Sequence, residues 1–241
     1  FIFIHTKQLV LGLTAFFLPK FQIGVIFMKY HKLVENAKKP NGFWGKMMIK
    51  AMNKGHSSLT SWGLEHMNIE RTATVLDIGC GGGKTVDRLC SIVANGKVYG
   101  IDYSELSVKS SEKLNSKNIL CNKAKILQAS VSDMPFDDNT FDNITAVETY
   151  YFWPDKENDV KEVFRVLKQG GTVMLLFEML RTDDDPFKWE KVENMLNIKS
   201  VTPQEIRAVL ESAGFENINT YTKEGTTWLC AIAQKPKDDE N

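Results

Sequence analysis

The sequence predicts an α/β domain with a mostly parallel sheet that ends in an antiparallel hairpin. An apolar strand at residues 74–78 runs into a glycine-rich turn and a helix, and a second apolar strand follows at residues 98–101. Strand, helix and strand in this order form a unit whose two strands lie parallel. Near the end of the chain, two strand-like segments at residues 215–221 and 226–233 are joined by a short turn containing a glycine, which is typical of a hairpin.

Residues 1–37 are predicted to form an extension that precedes the core. Their longest apolar run, residues 9–18, is shorter than the roughly 20 residues of a membrane span and is ended by Pro19. A secretory signal would need a basic start and a small-residue cleavage site, and neither is clear. Because the chain opens with Phe1 and an ordinary polar sequence follows Met28, we expect the natural start at Met28. A membrane-surface anchor is the alternative.

The glycine-rich turn after the first strand predicts a ligand site. Its glycines let the backbone take positive φ and approach a ligand that a Cβ would exclude; they are Gly79, Gly81, Gly82 and Gly83. Asp102 ends the second strand, 23 residues after Gly79. This is close to the offset of about 20 at which a carboxylate can bind both ribose hydroxyls. The pattern indicates a cofactor that contains adenosine.

Two details of the turn disfavour a dinucleotide. A dinucleotide fingerprint needs a third glycine three residues beyond the second, and that position holds Lys84. Asp77, just before the turn, attracts a ligand with a free ammonium group and repels a pyrophosphate. A nucleotide-dependent oxidoreductase is therefore a distant alternative.

These residues resemble motif I of the class I S-adenosylmethionine-dependent methyltransferases. The motif is an acid followed by alternating glycines, and it is matched by Asp77, Gly79, Gly81 and Gly83. Further along, residues 132–147 resemble the loop and fourth strand of the small-molecule branch that contains the ubiquinone and menaquinone biosynthesis methyltransferases. Residues 163–176 resemble the helix, Gly-Gly turn and fifth strand of that branch.

The resemblance covers about residues 45–234 and implies the rest of the fold. It implies a Rossmann-like three-layer sandwich with a seven-stranded sheet, in a domain that we place at residues 71–234. It also implies S-adenosyl-L-methionine as cofactor, S-adenosyl-L-homocysteine as product and a small-molecule methyl acceptor. The alternative is a non-catalytic regulatory or scaffold module that keeps the cofactor fold.

The resemblance assigns the cofactor to the glycine turn and to the loops after the following strands. The family often has an acid at the start of the loop after the third strand, where Ser130 stands here, so we expect adenine to be bound by Ser130, Ser132 and the backbone of Val131. Cys80 is expected to fill a tight space within the turn, a reactive thiol being the alternative. The predicted cofactor-binding residues are Asp77, Gly79, Cys80, Gly81, Asp102, Tyr103, Ser130, Val131, Ser132 and Val147.

Residues 38–70 are predicted to form a helical segment flanked by glycines. Met47, Met48 and Met52 would give it an adaptable apolar face. In related methyltransferases a segment at this position closes over the cofactor and shapes the substrate pocket. The alternative is a helix packed permanently on the sheet.

Four consecutive aromatic residues, at positions 150–153, follow the fourth strand. One helix face cannot bury all four, so some should line a cavity, where they would exclude water and align donor and acceptor. An aromatic wall can also hold a cationic centre. We predict that Tyr150 and Tyr151 bind substrate, while Phe152 and Trp153 could simply anchor the following helix.

Glu148 is the first candidate for a general base, because burial at the crevice beside aromatic rings would raise its pKa. It could instead hold the cofactor's ammonium group or bond to the backbone. His56 is the second candidate. The segment lacks the Asn-Pro-Pro-Tyr motif of enzymes that methylate amino groups of nucleic acids and proteins, which favours an oxygen, carbon or sulfur of a small molecule as the acceptor atom.

The last third of the chain predicts a capped helix and the closing hairpin. A stripe of Phe187, Trp189, Val192 and Met195 indicates a helix that packs in the core or brings Trp189 to the substrate pocket. Thr202 begins a capping box with proline at the first helical position. The tail, residues 235–241, is expected to be solvated.

Composition limits the class of protein. A chain of 241 residues with 43% hydrophobic residues can bury one full core. The net charge of zero gives no sign of nucleic-acid binding, and membrane association is not expected. The four cysteines are scattered without a CxxC pair, which argues for reduced thiols in the cytoplasm and against a zinc site. The oligomeric state stays open.

Overall fold

The computed structural model describes residues 39–237. The predicted extension over residues 1–37, with the expected start at Met28, and residues 238–241 lie outside the described residues. Within residues 39–237, no helix is long and apolar enough to cross a membrane.

Helices and strands alternate along most of the described chain. The helices are α1 (Gly42–Gly55), α2 (Ser57–Leu64), α3 (Lys84–Ile92), α4 (Glu105–Leu114), α5 (Ser116–Leu120), α6 (Lys156–Val166), α7 (Glu190–Leu196) and α8 (Pro203–Ser212). The strands are β1 (Thr74–Ile78), β2 (Lys97–Asp102), β3 (Ala124–Gln128), β4 (Phe141–Val147), β5 (Leu167–Phe177), β6 (Glu216–Thr222) and β7 (Leu229–Gln234).

The seven strands form one sheet in the order β3-β2-β1-β4-β5-β7-β6. Strands β1 to β5 pair in parallel, and β7 pairs antiparallel with both β5 and β6. The predicted seven-stranded sheet with an antiparallel terminal hairpin is therefore confirmed. The chain order reverses between β1 and β4, and ligands bind at such a point beyond the carboxyl ends of the strands.

Helix α2 is fixed on the sheet, whereas α1 lies over its carboxyl edge. Leu59 of α2 is buried in one cluster with Met174, Leu176 and Cys230 of β5 and β7. Gly63 lies so close to β5 that a Cβ there would be 2.7 Å from the Leu176 side chain. The packing of α2 on β5 and β7 is what the alternative of a permanently packed helix requires. Closure of residues 38–70 over the cofactor stays a prediction.

Two details of the carboxyl-terminal third differ from the sequence predictions. The Gly-Gly pair at residues 170–171 lies within β5, where the pairing with β4 shifts register, rather than before the strand. Lys235 is not solvated, because it is buried and its Nζ donates to Asn139 Oδ1 and to the carbonyls of Phe164 and Leu167, each at 2.8 Å. A buried ammonium is stable when its donors are all engaged in this way.

Candidate active site

A cavity of about 410 Å³ lies where the carboxyl ends of β1, β2 and β4 meet beneath α1 and α2. Cavities that bind small molecules typically measure about 300 to 1,000 Å³. The glycine turn, the end of β2 and the segment after β4 all contribute to its lining. The predicted crevice and the observed cavity therefore coincide.

Gly79 and Gly81 both have positive φ but serve different purposes. A Cβ on Gly79 would lie 2.3 Å from the Thr149 side chain, so this glycine lets β1 and β4 approach each other. A Cβ on Gly81, at φ +52°, would meet no atom closer than 4.0 Å and would project into the cavity. The open space in front of Gly81 is the part of the turn that a ligand can occupy.

Asp102 fastens the glycine turn to the end of β2. Its carboxylate is buried and accepts from the backbone N–H of Gly81 at 2.9 Å and of Ser104 at 2.8 Å. Burial raises the pKa of Asp102, while the two backbone hydrogen bonds act against that rise. The same carboxylate lines the cavity, where its other lone pairs can accept from ligand hydroxyls.

Replacing Asp102 with Ala is expected to weaken binding of S-adenosylhomocysteine at least about a hundredfold. The change removes the predicted acceptor for two hydroxyls, and each charge-assisted bond contributes about 1.5 to 3 kcal/mol. It also leaves the N–H groups of Gly81 and Ser104 without this partner. Isothermal titration calorimetry measures the effect, with exposed Asp137→Ala as control. An unchanged dissociation constant would show that Asp102 does not bind the cofactor.

Asp77 is a second buried carboxylate at the cavity. It is 2% exposed, and Thr145 Oγ1 donates to its Oδ1 at 2.7 Å. Burial, and to a smaller extent the charge of Asp102, raise the pKa of Asp77 to about 7 against the hydrogen bond from Thr145. A cationic group bound beside Asp77 would favour its ionised form.

The remaining predicted cofactor-binding residues, which include those expected to bind adenine, lie at the cavity with one exception. Tyr103, Ser130, Val131 and Val147 line it. Ser132 does not: it is exposed, and its backbone N–H donates to Ser130 Oγ at 3.2 Å. Ser132 therefore holds Ser130 in place through its backbone instead of contacting the cavity.

Cys80 fills space within the turn, as expected. It is 6% exposed, its Sγ lies 3.8 Å from Ser111 Oγ, and burial holds the pKa of its thiol well above the usual value. A protonated thiol is a poor nucleophile, which favours the packing interpretation. Cys80 also lines the cavity, and its predicted contact with the cofactor stays a prediction.

Glu148 lies at the cavity directly after β4, in a left-handed conformation with φ +60°. Its Oε1 accepts from the backbone N–H of Glu178 and from the Tyr151 hydroxyl, the latter at 3.5 Å. Burial first, and the charge of Glu178 second, raise the pKa of Glu148 to about 8. The direction of the shift is the one expected from the sequence.

His56 comes to the same end of the cavity from the junction of α1 and α2. Burial lowers the pKa of its imidazole, although the charge of Glu178 opposes the shift. One potential ligand atom from each of His56, Glu148 and Glu178 lies within 4.8 Å of the other two. Glu178 was not predicted, although its position directly after β5 is the same edge of the sheet that Glu148 occupies.

The four aromatic residues do not lie where the sequence analysis places them. Tyr150 and Tyr151 are buried in the core, with ring centroids 5.7 and 5.6 Å from Phe177, and they do not line the cavity, whereas Phe152 and Trp153 do. The segment Tyr150–Phe152 is a 3₁₀ turn, in which successive side chains point about 120° apart. The prediction of Tyr150 and Tyr151 as pocket residues is therefore wrong.

Trp189 is also a core residue. It precedes α7, is 9% exposed, and its Nε1 donates to the carbonyl of Leu180 at 2.9 Å. It is not part of the cavity lining, so the prediction that it binds substrate is wrong. The hydrogen bond satisfies the indole N–H and allows the ring to be buried.

Helices α1 and α2 are tied to the loops that form the cavity by side-chain hydrogen bonds. Asn53 Nδ2 donates to the carbonyl of Gly82 at 3.4 Å, and Ser104 Oγ donates to that of Pro40 at 2.9 Å. Arg88 of α3 donates to the carbonyl and hydroxyl oxygens of Ser57 at 3.0 and 2.9 Å. The sequence did not reveal Asn53 and Arg88 as cavity residues, because their roles depend on contacts between distant segments. Residues 39–64 thus cover the cavity.

Comparison with known proteins supports the same family. A family model described as "Methyltransferase domain" matches residues 76–175. An uncharacterized methyltransferase, YdaC of Bacillus subtilis, is 27% identical over 183 residues, which is 75% of this chain and 93% of the relative. The ubiquinone/menaquinone biosynthesis C-methyltransferase UbiE of Cronobacter sakazakii is 31% identical over 181 residues, which is 65% of this chain and 72% of the relative.

A solved structure shows the same fold. The S-adenosylmethionine-dependent methyltransferase of Aquifex aeolicus superposes with a TM-score of 0.61 at 21% identity, covering 77% of this chain and 96% of that one. The matches to several other curated relatives span less than half of the length of those relatives.

Proposed function

This chain belongs to the class I S-adenosylmethionine-dependent methyltransferases, and on that basis we propose that it methylates a small, partly apolar or aromatic acceptor bound in the cavity. One observation carries the proposal: Asp77, Gly81 and Asp102 line the same cavity as His56 and Glu148. A methyl donor bound by Asp77, Gly81 and Asp102 can therefore lie in the same cavity as an acceptor bound beside His56 and Glu148.

The residues at one end of the cavity fit S-adenosylmethionine. Asp102 would accept from the ribose hydroxyls, Asp77 would bind the ammonium group, and the space in front of Gly81 admits the ligand. Tyr103, Ser130 and the backbone of Val131 would surround adenine. The cofactor supplies a methyl carbon made electrophilic by the positive charge on sulfur.

The residues at the other end fit an acceptor with an apolar body. Phe152 and Trp153 provide an aromatic wall, and His56 and Glu148 are the titratable groups beside it. The wall would exclude water and align the acceptor, while His56 and Glu148 would promote loss of its proton.

Calorimetric titration with S-adenosylhomocysteine, with NAD as a parallel control, tests the cofactor assignment. We expect micromolar binding of the first compound alone. A panel of small acceptors is then incubated with S-adenosylmethionine, and formation of S-adenosylhomocysteine is measured. Preference for NAD, or no binding of either compound, would contradict the proposal.

The affinity for S-adenosylhomocysteine is expected to fall as the pH is lowered through 7. The ammonium group of the ligand binds ionised Asp77, and in the free protein the pKa of Asp77 is raised to about 7. Affinity is therefore full above this pH, and at pH 6 it is about tenfold lower, because one pH unit corresponds to a factor of ten. Titrations at pH 6 and 8 measure the change. Asp77→Asn should remove this dependence, and an equal slope in both proteins would contradict the assignment.

A further inference from the structure

Three potential metal ligands from three separate elements converge beside the cavity; His56 and Glu148 line it, and Glu178 lies next to them. His56 joins α1 to α2, Glu148 follows β4 and Glu178 follows β5. Their potential ligand atoms lie within 4.8 Å of one another. Ligands of a tetrahedral ion bound at 2.0 to 2.2 Å are about 3.4 Å apart, so shifts of about 1 Å would bring these atoms to coordination distance.

We propose that His56, Glu148 and Glu178 bind one divalent transition-metal ion. This deepens the proposed function and rests on it, because it explains how His56 and Glu148 act on the acceptor. One imidazole nitrogen and two carboxylates suit Zn²⁺, Mn²⁺ or Fe²⁺, whereas Mg²⁺ and Ca²⁺ favour oxygen ligands alone.

The contacts around the three side chains support ligation. Among residues 39–237, the His56 imidazole makes no side-chain hydrogen bond, so its nitrogens are available. Glu148 Oε1 accepts from the N–H of Glu178 and from the Tyr151 hydroxyl, which in turn accepts from the N–H of Met179 at 2.9 Å. Such outer contacts orient ligating carboxylates in metal sites.

The position of His56 and Glu148 at the cavity indicates what the ion would bind. Catalytic sites commonly have three protein ligands and leave one position for water or substrate. His56 and Glu148 line the cavity, so this position would face the acceptor. The ion would then bind a hydroxyl oxygen of the acceptor, lower the pKa of that hydroxyl and favour transfer of its proton to solvent water. The ion would also connect the helical cover, residues 39–64, to the sheet, because His56 belongs to the cover whereas Glu148 and Glu178 follow strands β4 and β5.

Metal titration of the full-length chain tests this inference without any acceptor. Protein freed of metal with a chelator is titrated by calorimetry with Zn²⁺ and, separately, Mn²⁺, and the same preparation is titrated with S-adenosylhomocysteine. We expect one ion per chain, with affinity at least about tenfold lower in His56→Ala and Glu178→Gln. An ion in hundredfold excess over its dissociation constant should raise Tm by roughly 5 to 10 °C, and His56→Ala should lose this shift.

Two matched variants separate the site from other histidines and acids. His66→Gln, which changes a histidine stacked on Tyr221, and exposed Glu224→Gln should bind metal like the parent. No stoichiometric ion, or equal affinity in His56→Ala, Glu178→Gln and the parent, would overturn the metal site. If the parent protein binds S-adenosylhomocysteine but no metal ion, the metal site is wrong and the proposed function stands. If the parent protein does not bind S-adenosylhomocysteine, the proposed function itself is contradicted.

Discussion

Replacing Gly81 with Val is expected to abolish binding of S-adenosylhomocysteine, with affinity at least about a thousandfold lower than in the parent. The Cβ of residue 81 would project into the cavity, and no protein atom within 4.0 Å would be displaced by it. The branched side chain would therefore occupy space that the ligand needs, while the sheet beneath keeps its packing. Calorimetry measures the loss of binding.

The fold control for this prediction is Gly225→Val. Gly225, in the turn between β6 and β7, has φ +70°, and a Cβ added there would meet no atom within 4 Å. It therefore matches Gly81 in backbone strain but lies away from the cavity lining. We expect it to lower Tm about as much as Gly81→Val and to keep ligand affinity. Retained binding in Gly81→Val would mean that the glycine turn serves only the packing of the chain.

The cofactor end of the site could be predicted because its determinants are local in sequence. Asp77, Gly81 and Asp102 belong to one strand-turn-helix-strand unit, and the geometry of that unit follows from hydrophobic periodicity and from glycines that permit positive φ. Their relative positions depend little on the remainder of the chain. The parallel sheet and the closing hairpin could be predicted from similar local patterns.

The acceptor end could be predicted only in part, because distant segments meet there. Glu148 could be placed by its position after β4, but the orientation of Tyr150 and Tyr151 depends on a 3₁₀ turn and on packing against Phe177. Glu178 gains its importance only because β5 lies beside β4. Contacts of this kind are fixed by tertiary packing, which no pattern within one segment specifies.

Replacing Glu148 with Gln is expected to lower the turnover number at least a hundredfold, measured with an acceptor found in the screen described above. Groups that assist proton transfer contribute about a hundredfold to ten-thousandfold to rate. The amide oxygen of the introduced glutamine can still accept from the N–H of Glu178 and from the Tyr151 hydroxyl, as the carboxylate does. The substitution therefore keeps the local hydrogen bonds and removes the negative charge, which is needed both to take up a proton and to bind a cation strongly.

A selective effect on chemistry distinguishes this role from a structural one. The affinity of Glu148→Gln for S-adenosylhomocysteine should stay within about threefold of the parent, because none of the predicted cofactor contacts is assigned to the Glu148 carboxylate. Exposed Glu224→Gln should keep parental turnover. His56→Asn should show the same split, since it reaches the acceptor end from the helical cover. Turnover by Glu148→Gln within threefold of the parent would contradict its role. A loss of cofactor affinity equal to the loss of turnover would instead place Glu148 at the cofactor, as the alternative drawn from the sequence has it.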